Sequence, residues 1–116
     1  MKIGSILENQ KIEKRIAITP EIAKKYLSLG FEVHLSKNYG VHLGFSDDEY
    51  KNIGVKFSED EKEIINLANI VVQLGLLPEE KSLLLKQGQT LVGILNPYEN
   101  KEKLDKLVQK KINLFS

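Results

Sequence analysis

Thr19-Pro20-Glu21-Ile22-Ala23-Lys24-Lys25-Tyr26-Leu27-Ser28-Leu29-Gly30-Phe31-Glu32-Val33-His34-Leu35 reads as a helix and a strand joined at one glycine. Thr19 is a favoured N-cap residue. Pro20 follows at the first helical position, where a missing N–H costs nothing because that group has no intrahelical partner. Ile22, Ala23, Tyr26 and Leu27 fall on one face at helical spacing. Gly30 suits the left-handed position that closes a helix. The alternation over residues 31–35 then predicts a strand. With a first apolar run at residues 2–6, the unit is strand, helix, strand.

The same grammar continues towards the C-terminus. Ser46-Asp47-Asp48-Glu49 is a capping box, and Phe45 and Tyr50 stand at staple spacing around it. That helix is expected to end near Gly54 and to lead into a brief strand at 55–57. A second capping box, Ser58-Glu59-Asp60-Glu61, opens a helix whose buried face is Ile64, Ile65 and Ala68. Residues 69–74, with Ile70, Val71 and Val72 consecutive, predict a strand covered on both sides, as in a parallel sheet. Pro78 opens a short helix containing Leu83 and Leu84 and ending near Gly88. A strand at 90–95, a helix with inner residues Leu104, Leu107 and Val108, and a strand at 112–115 complete the chain.

About six strands therefore alternate with five helices, which implies an α/β fold. The expected architecture is three layers, a mostly parallel sheet with helices on both faces, in Rossmann-like or flavodoxin-like arrangement. The chain stops at Ser116, inside or just after an apolar strand. Residues 1–116 are thus expected to form one domain, incomplete at its C-terminus.

Composition bounds the function. The 17 basic and 16 acidic side chains leave a net charge of +1, which points away from nucleic acid and anionic membrane surfaces. There is no cysteine, so disulfides and thiolate metal sites are excluded and a reducing cytoplasm fits best. No stretch approaches the ~20 apolar residues of a membrane span, and residues 1–6 are too short for a signal peptide.

Few residues offer chemistry. Neither a G-x-G-x-x-G turn nor a P-loop occurs, and Gly40 and Gly44 read as turn glycines. His34 and His42 lack companions at metal-ligand spacing and read as surface or hydrogen-bonded structural residues. No serine has a nucleophile-elbow context, and Ser46 and Ser58 are taken as caps. Arg15 stands apart as the only arginine. It lies between the first strand and the first helix, at the sheet end where open α/β folds bind ligands. Its planar fork suits a carboxylate or phosphate. A surface or domain-interface ion pair is the plainer explanation.

Glu13-Lys14-Arg15-Ile16-Ala17-Ile18-Thr19-Pro20 resembles the E-x-R-V-A-x-T-P signature of alanine dehydrogenases and transhydrogenase alpha subunits. Leu29-Gly30-Phe31-Glu32-Val33, Phe45-Ser46-Asp47-Asp48, Asn69-Ile70-Val71-Val72, Gly88-Gln89-Thr90-Leu91-Val92 and Asn96-Pro97 extend the likeness over essentially the whole chain. In alanine dehydrogenases the arginine of this motif, a later lysine and a histidine hold pyruvate. The resemblance places Arg15, Gln73 and Asn96 at these substrate-binding-like positions. Gln73 cannot supply an ammonium and Asn96 cannot shuttle a proton, so the transhydrogenase branch is the better match.

That resemblance implies a function for the whole protein. It would be a proton-translocating transhydrogenase, with hydride passing from NADH to NADP⁺. NAD(H) and NADP(H) would be its cofactors, with none bound principally by this piece, no metal, and no catalytic residue here. The implied partners are the NAD-binding domain of the same subunit, membrane and NADP-binding subunits, and a second copy in a homodimer. The implied location is cytoplasmic, peripheral to the inner membrane through the partner subunits. An NAD-dependent amino-acid dehydrogenase of alanine or saccharopine type and a non-catalytic α/β binding module are the alternatives.

Overall fold

Thr19 caps the first helix in the expected way, its Oγ1 accepting from Ile22 N at 3.3 Å, and Gly30 adopts the left-handed conformation at φ 95°. These come from a computed structural model that describes residues 1–116. Strands β1 (Lys2–Ser5), β2 (Glu32–Ser36), β3 (Lys56–Ser58), β4 (Ile70–Val72), β5 (Thr90–Val92) and β6 (Asn113–Phe115) alternate with helices α1 (Pro20–Ser28), α2 (Asp47–Asn52), α3 (Glu61–Leu67), α4 (Glu79–Ser82) and α5 (Lys101–Gln109). The sheet order is β3-β2-β1-β4-β5-β6 and every neighbouring pair is parallel. This is the doubly wound Rossmann order, which separates it from the flavodoxin-like alternative.

Strand periodicity divides the interior in two. Ile3, Val33 and Leu35 point to a cluster with Ile16, Ile18, Ala23, Tyr39, Tyr50 and Val55, which packs beneath α1 and α2. Ile6, Val71 and Leu91 point the other way, to Ile64, Ile65 and Ala68 of α3, Leu104 and Leu107 of α5, and Leu77, Leu85, Leu95 and Ile112. Alternate residues of a strand face opposite sides, so helices cover both faces. Gly4 sits where α3 approaches closest. A Cβ there would come within 2.9 Å of both Ala68 Cβ and Ile64 Cγ2, so the missing side chain sets the helix-to-sheet distance.

Local details depart from expectation where two signals compete. The cap of α3 is Asp60, whose Oδ1 accepts from Lys62 N at 3.0 Å; the Ser58 hydroxyl instead accepts from Asp60 N at 3.1 Å. The serine thus makes a local turn and delays the helix by two residues. Helix α4 is one turn long and stops before Leu83, which is 68% exposed, while Leu84 and Leu85 enter the core from the following segment. Val108 is exposed because it lies about 100° round α5 from Leu107. Strands β4 and β5 end at Val72 and Val92, short of the predicted 74 and 95, although Ile94 N still donates to Leu74 O at 2.7 Å.

Candidate functional site

Strand β1 leads outward to β2 and β4 leads outward to β5, so the connections leave this central pair in opposite directions. The carboxyl ends of these two strands are the switch point, the usual ligand position of open α/β sheets. Gln73, the first residue after β4, stands at this switch point and is 3% exposed. Its Oε1 accepts from Ile6 N at 2.8 Å and from Ser5 Oγ at 3.1 Å. Its Nε2 donates to Ile6 O at 3.0 Å and to Glu8 Oε2 at 2.5 Å. Where β1 and β4 part, the side-chain amide replaces the peptide group that a continuing ladder would supply. All four contacts are structural.

Glu8 completes the arrangement. Its carboxylate also accepts from Leu74 N at 3.2 Å and Gly75 N at 3.3 Å. Burial pushes its pKa up, the three hydrogen bonds pull it partly back, and the Glu13 carboxylate adds a further upward push. On the other side of Ser5, its hydroxyl meets Tyr39 Oη at 2.8 Å, and Tyr39 Oη accepts from Ile18 N at 3.2 Å. Tyr50 Oη donates to Ile18 O at 2.8 Å. One polar chain thus runs from the switch point to the segment before α1.

The other two predicted positions lie apart from this network. Arg15 is 70% exposed on its loop and its guanidinium forks onto Glu13, with Nη2 to Oε1 at 2.8 Å and Nε to Oε2 at 3.0 Å. The pair holds the Glu13 carboxyl down to about 2 and raises the Arg15 pKa. Arg15 therefore already grips a carboxylate, that of a near neighbour in the chain. Asn96 is exposed beyond β5 with φ 44°, and its carbonyl accepts from Glu99 N and Asn100 N, each at 3.1 Å. No hydrogen bond joins Arg15, Gln73 and Asn96 to one another.

Both histidines serve structure. His42 Nε2 donates to Lys14 O at 2.8 Å, tying the Arg15 loop to the turn at Val41–Leu43, and His34 Nε2 lies 3.2 Å from Glu32 Oε1. No three His, Asp or Glu side chains gather as a metal site would require. Residues 6–19 separate β1 from α1, so no helix N-terminus follows β1 at once, unlike the phosphate-binding turn of dinucleotide folds.

Sequence reasoning missed Ser5, Glu8 and Tyr39. A polar residue ending the apolar run Ile70-Val71-Val72 was the available signal for Gln73's burial, but its partners lie 65 to 68 residues away.

The tyrosines give the fold an alkaline limit. Burial pushes the Tyr39 pKa up to about 12 and raises that of Tyr50 as well. The folded chain keeps these protons to higher pH than the unfolded chain, whose tyrosines titrate near ~10. Stability is therefore fully present below about pH 10 and is lost as pH rises towards 12, at ~1.4 kcal/mol per pH unit for each tyrosine. Tyr39→Phe should flatten the slope of unfolding free energy against pH by one proton, some ~2–3 kcal/mol over that interval. Urea titrations between pH 8 and 11.5 would measure it, and an unchanged slope would count against a buried Tyr39 proton.

Known proteins share both this sequence and this geometry. The sequence model of the "Alanine dehydrogenase/PNT, N-terminal domain" matches residues 5–116. An NAD(P) transhydrogenase alpha-subunit chain of Rickettsia prowazekii is 38% identical over the whole chain, and its namesake from Rhodospirillum rubrum is 31% identical. Alanine dehydrogenase 1 of Staphylococcus aureus is 28% identical over the whole chain. The chain spans only about a third of each, 31%, 32% and 31% in that order. Among solved structures, the transhydrogenase of Sinorhizobium meliloti superposes over 100% of this chain and 34% of its own, with a TM-score of 0.91 at 22% identity. An L-alanine dehydrogenase covers 98% of this chain and 31% of its own, at 0.89 and 21%; at such identities these two likenesses speak for the fold alone. The chain is homologous to the N-terminal part of transhydrogenase alpha subunits and belongs to the alanine dehydrogenase/PNT family, whose N-terminal domain it carries.

Proposed function

We propose that this chain is the N-terminal part of the alpha subunit of a proton-translocating NAD(P) transhydrogenase. In that reading it is a scaffold and one wall of a cleft, closed by an NAD-binding domain elsewhere in the subunit. The observation that carries the reading is Gln73. At the position where the dehydrogenase resemblance calls for lysine, the chain has a buried amide whose hydrogen bonds are all spent on β1 and Glu8. Such a group holds two strands together and has nothing left for a keto acid. Asn96 likewise offers no titratable proton. Arg15 remains at the rim, on the loop that an adjoining domain would meet.

NAD(H) does not fit the switch point of this chain. There is no glycine-rich turn, and a carboxylate already occupies the backbone amides that would face a phosphate. The nucleotide therefore belongs to the adjoining domain, NADP(H) to a partner subunit, and the proton path to a membrane part. Hydride transfer between two held nicotinamides needs positioning above all, because the chemistry is the cofactors' own. The assembly would be homodimeric and would sit on the cytoplasmic face of the inner membrane. No helix of this chain is long and apolar enough to cross a membrane.

The test is an assay of the whole protein with its partner subunits in sealed vesicles. NADH-dependent reduction of NADP⁺ that quickens when a proton gradient is imposed is the expected outcome. Oxidation of NADH that requires pyruvate and ammonia would instead assign an amino-acid dehydrogenase, and no nucleotide turnover at all would favour a binding module.

A further inference from the structure

The Glu8 carboxylate lies half-buried at the switch point between β1 and β4, with no cation against it. Oε2 takes hydrogen bonds from Gln73 Nε2 and Leu74 N, and Oε1 takes one from Gly75 N. Two successive backbone N–H groups and one side-chain amide thus converge on both oxygens of a single anion. Consecutive amides aimed at one point form the concave arrangement that binds free anions in many proteins. The approach at residue 75 is open, since even a Cβ there would meet nothing nearer than Glu8 Oε1 at 3.8 Å. The occupant comes from the chain itself, on the loop that follows β1, three residues after Ser5.

We propose that Gln73 Nε2 and the Leu74 and Gly75 amides form a carboxylate-binding site, which Glu8 fills in cis and which takes a small free monocarboxylate once that side chain is removed. Neutral donors of this kind recognise two oxygens in a plane and do not distinguish a tethered carboxylate from a free one. The tether decides. A group held beside the site by the fold competes at an effective concentration of millimolar or more, so in the native chain Glu8 displaces a free acid present at less than that. The upward push on the Glu8 pKa agrees, because it marks a carboxylate desolvated without a counter-charge. The inference holds whichever enzyme the whole protein serves, and its test uses no nucleotide.

The experiment is Glu8→Ala, titrated with formate against sodium chloride of equal ionic strength, with the Leu74 and Gly75 amide resonances observed. Both should shift saturably in the variant, and at least about tenfold more weakly in the native chain. Formate should also raise the variant's unfolding temperature more than chloride does. Absent shifts in the variant, or equal shifts in both proteins, would overturn the proposal. If Glu8→Ala does not fold in chloride, far-UV circular dichroism replaces the titration. Recovery of the native signal in formate but not chloride supports the site, and no recovery, or equal recovery in both salts, refutes it.

Discussion

Gly93→Ala is expected to destabilise the chain by about 3 kcal/mol or more, lowering the unfolding midpoint by roughly 10 °C. Gly93 follows β5, beside the end of its parallel neighbour β4. Its N–H donates to Phe115 O at 3.0 Å, while Gln73 N donates to Val92 O at 2.9 Å and Ile94 N to Leu74 O at 2.7 Å. Hydrogen bonds on either side thus pin the two backbones together. A Cβ at Gly93 would lie 2.6 Å from Gln73 O, well inside contact distance. The offended atom is a backbone carbonyl at the carboxyl end of β4, with no rotamer to change. Relief requires β4 and β5 to separate, which breaks the flanking bonds and moves Gln73. Gly75→Ala is the control, since its nearest neighbour would stand at an ordinary 3.8 Å. Thermal melts of both variants decide the matter: equal losses would mean that the crowding at Gly93 is not what requires glycine.

Much of this molecule was legible because its punctuation is local. Thr19 and Ser46 cap their helices through bonds to residues three further on, and Gly30, Gly54 and Gly88 all take positive φ at helix or loop ends. Such signals need only neighbouring residues, so six strands and five helices could be placed in order. The strand order was less accessible. Alternation alone does not say whether β4 pairs with β1 or with β3, since both solutions bury the same apolar runs. Ser58 failed as a cap for a related reason. Two good capping residues stood two positions apart, and only the folded backbone shows which one the helix uses.

The candidate site was legible in a different measure. Arg15 is exposed and its loop was correctly placed, but its partner Glu13 was within reach all along and was not recognised as such. Glu8 read as one more charge in a loop. Nothing near it in sequence distinguishes it, because the amides that hold it belong to Leu74 and Gly75. Polar networks between strands that are distant in sequence leave only the polar residues behind as clues. Here these are Ser5, Glu8, Tyr39 and Gln73, scattered over four segments.

Gln73→Leu carries the other large expected effect, a loss of about 4 kcal/mol. Leucine has a similar volume, so the packing term is small and the loss is polar. Ile6 is 2% exposed, and its N–H and carbonyl have Gln73 as their hydrogen-bond partner. Removing the amide strands both in a buried place. Each costs about 1–3 kcal/mol when its partner vanishes without replacement. Glu8 loses its shortest bond at the same time, and keeps only the two backbone amides. Ser5 is less affected, because its hydroxyl still reaches Val72 O and Tyr39 Oη. Urea unfolding should therefore show the variant near the limit of stability. Amide exchange should show the end of β1 opening before the rest of the sheet. A loss below about 1 kcal/mol would mean that water or a shifted backbone satisfies Ile6. Gln73 would then be free to meet a ligand, and the structural explanation for the missing lysine would fail with it.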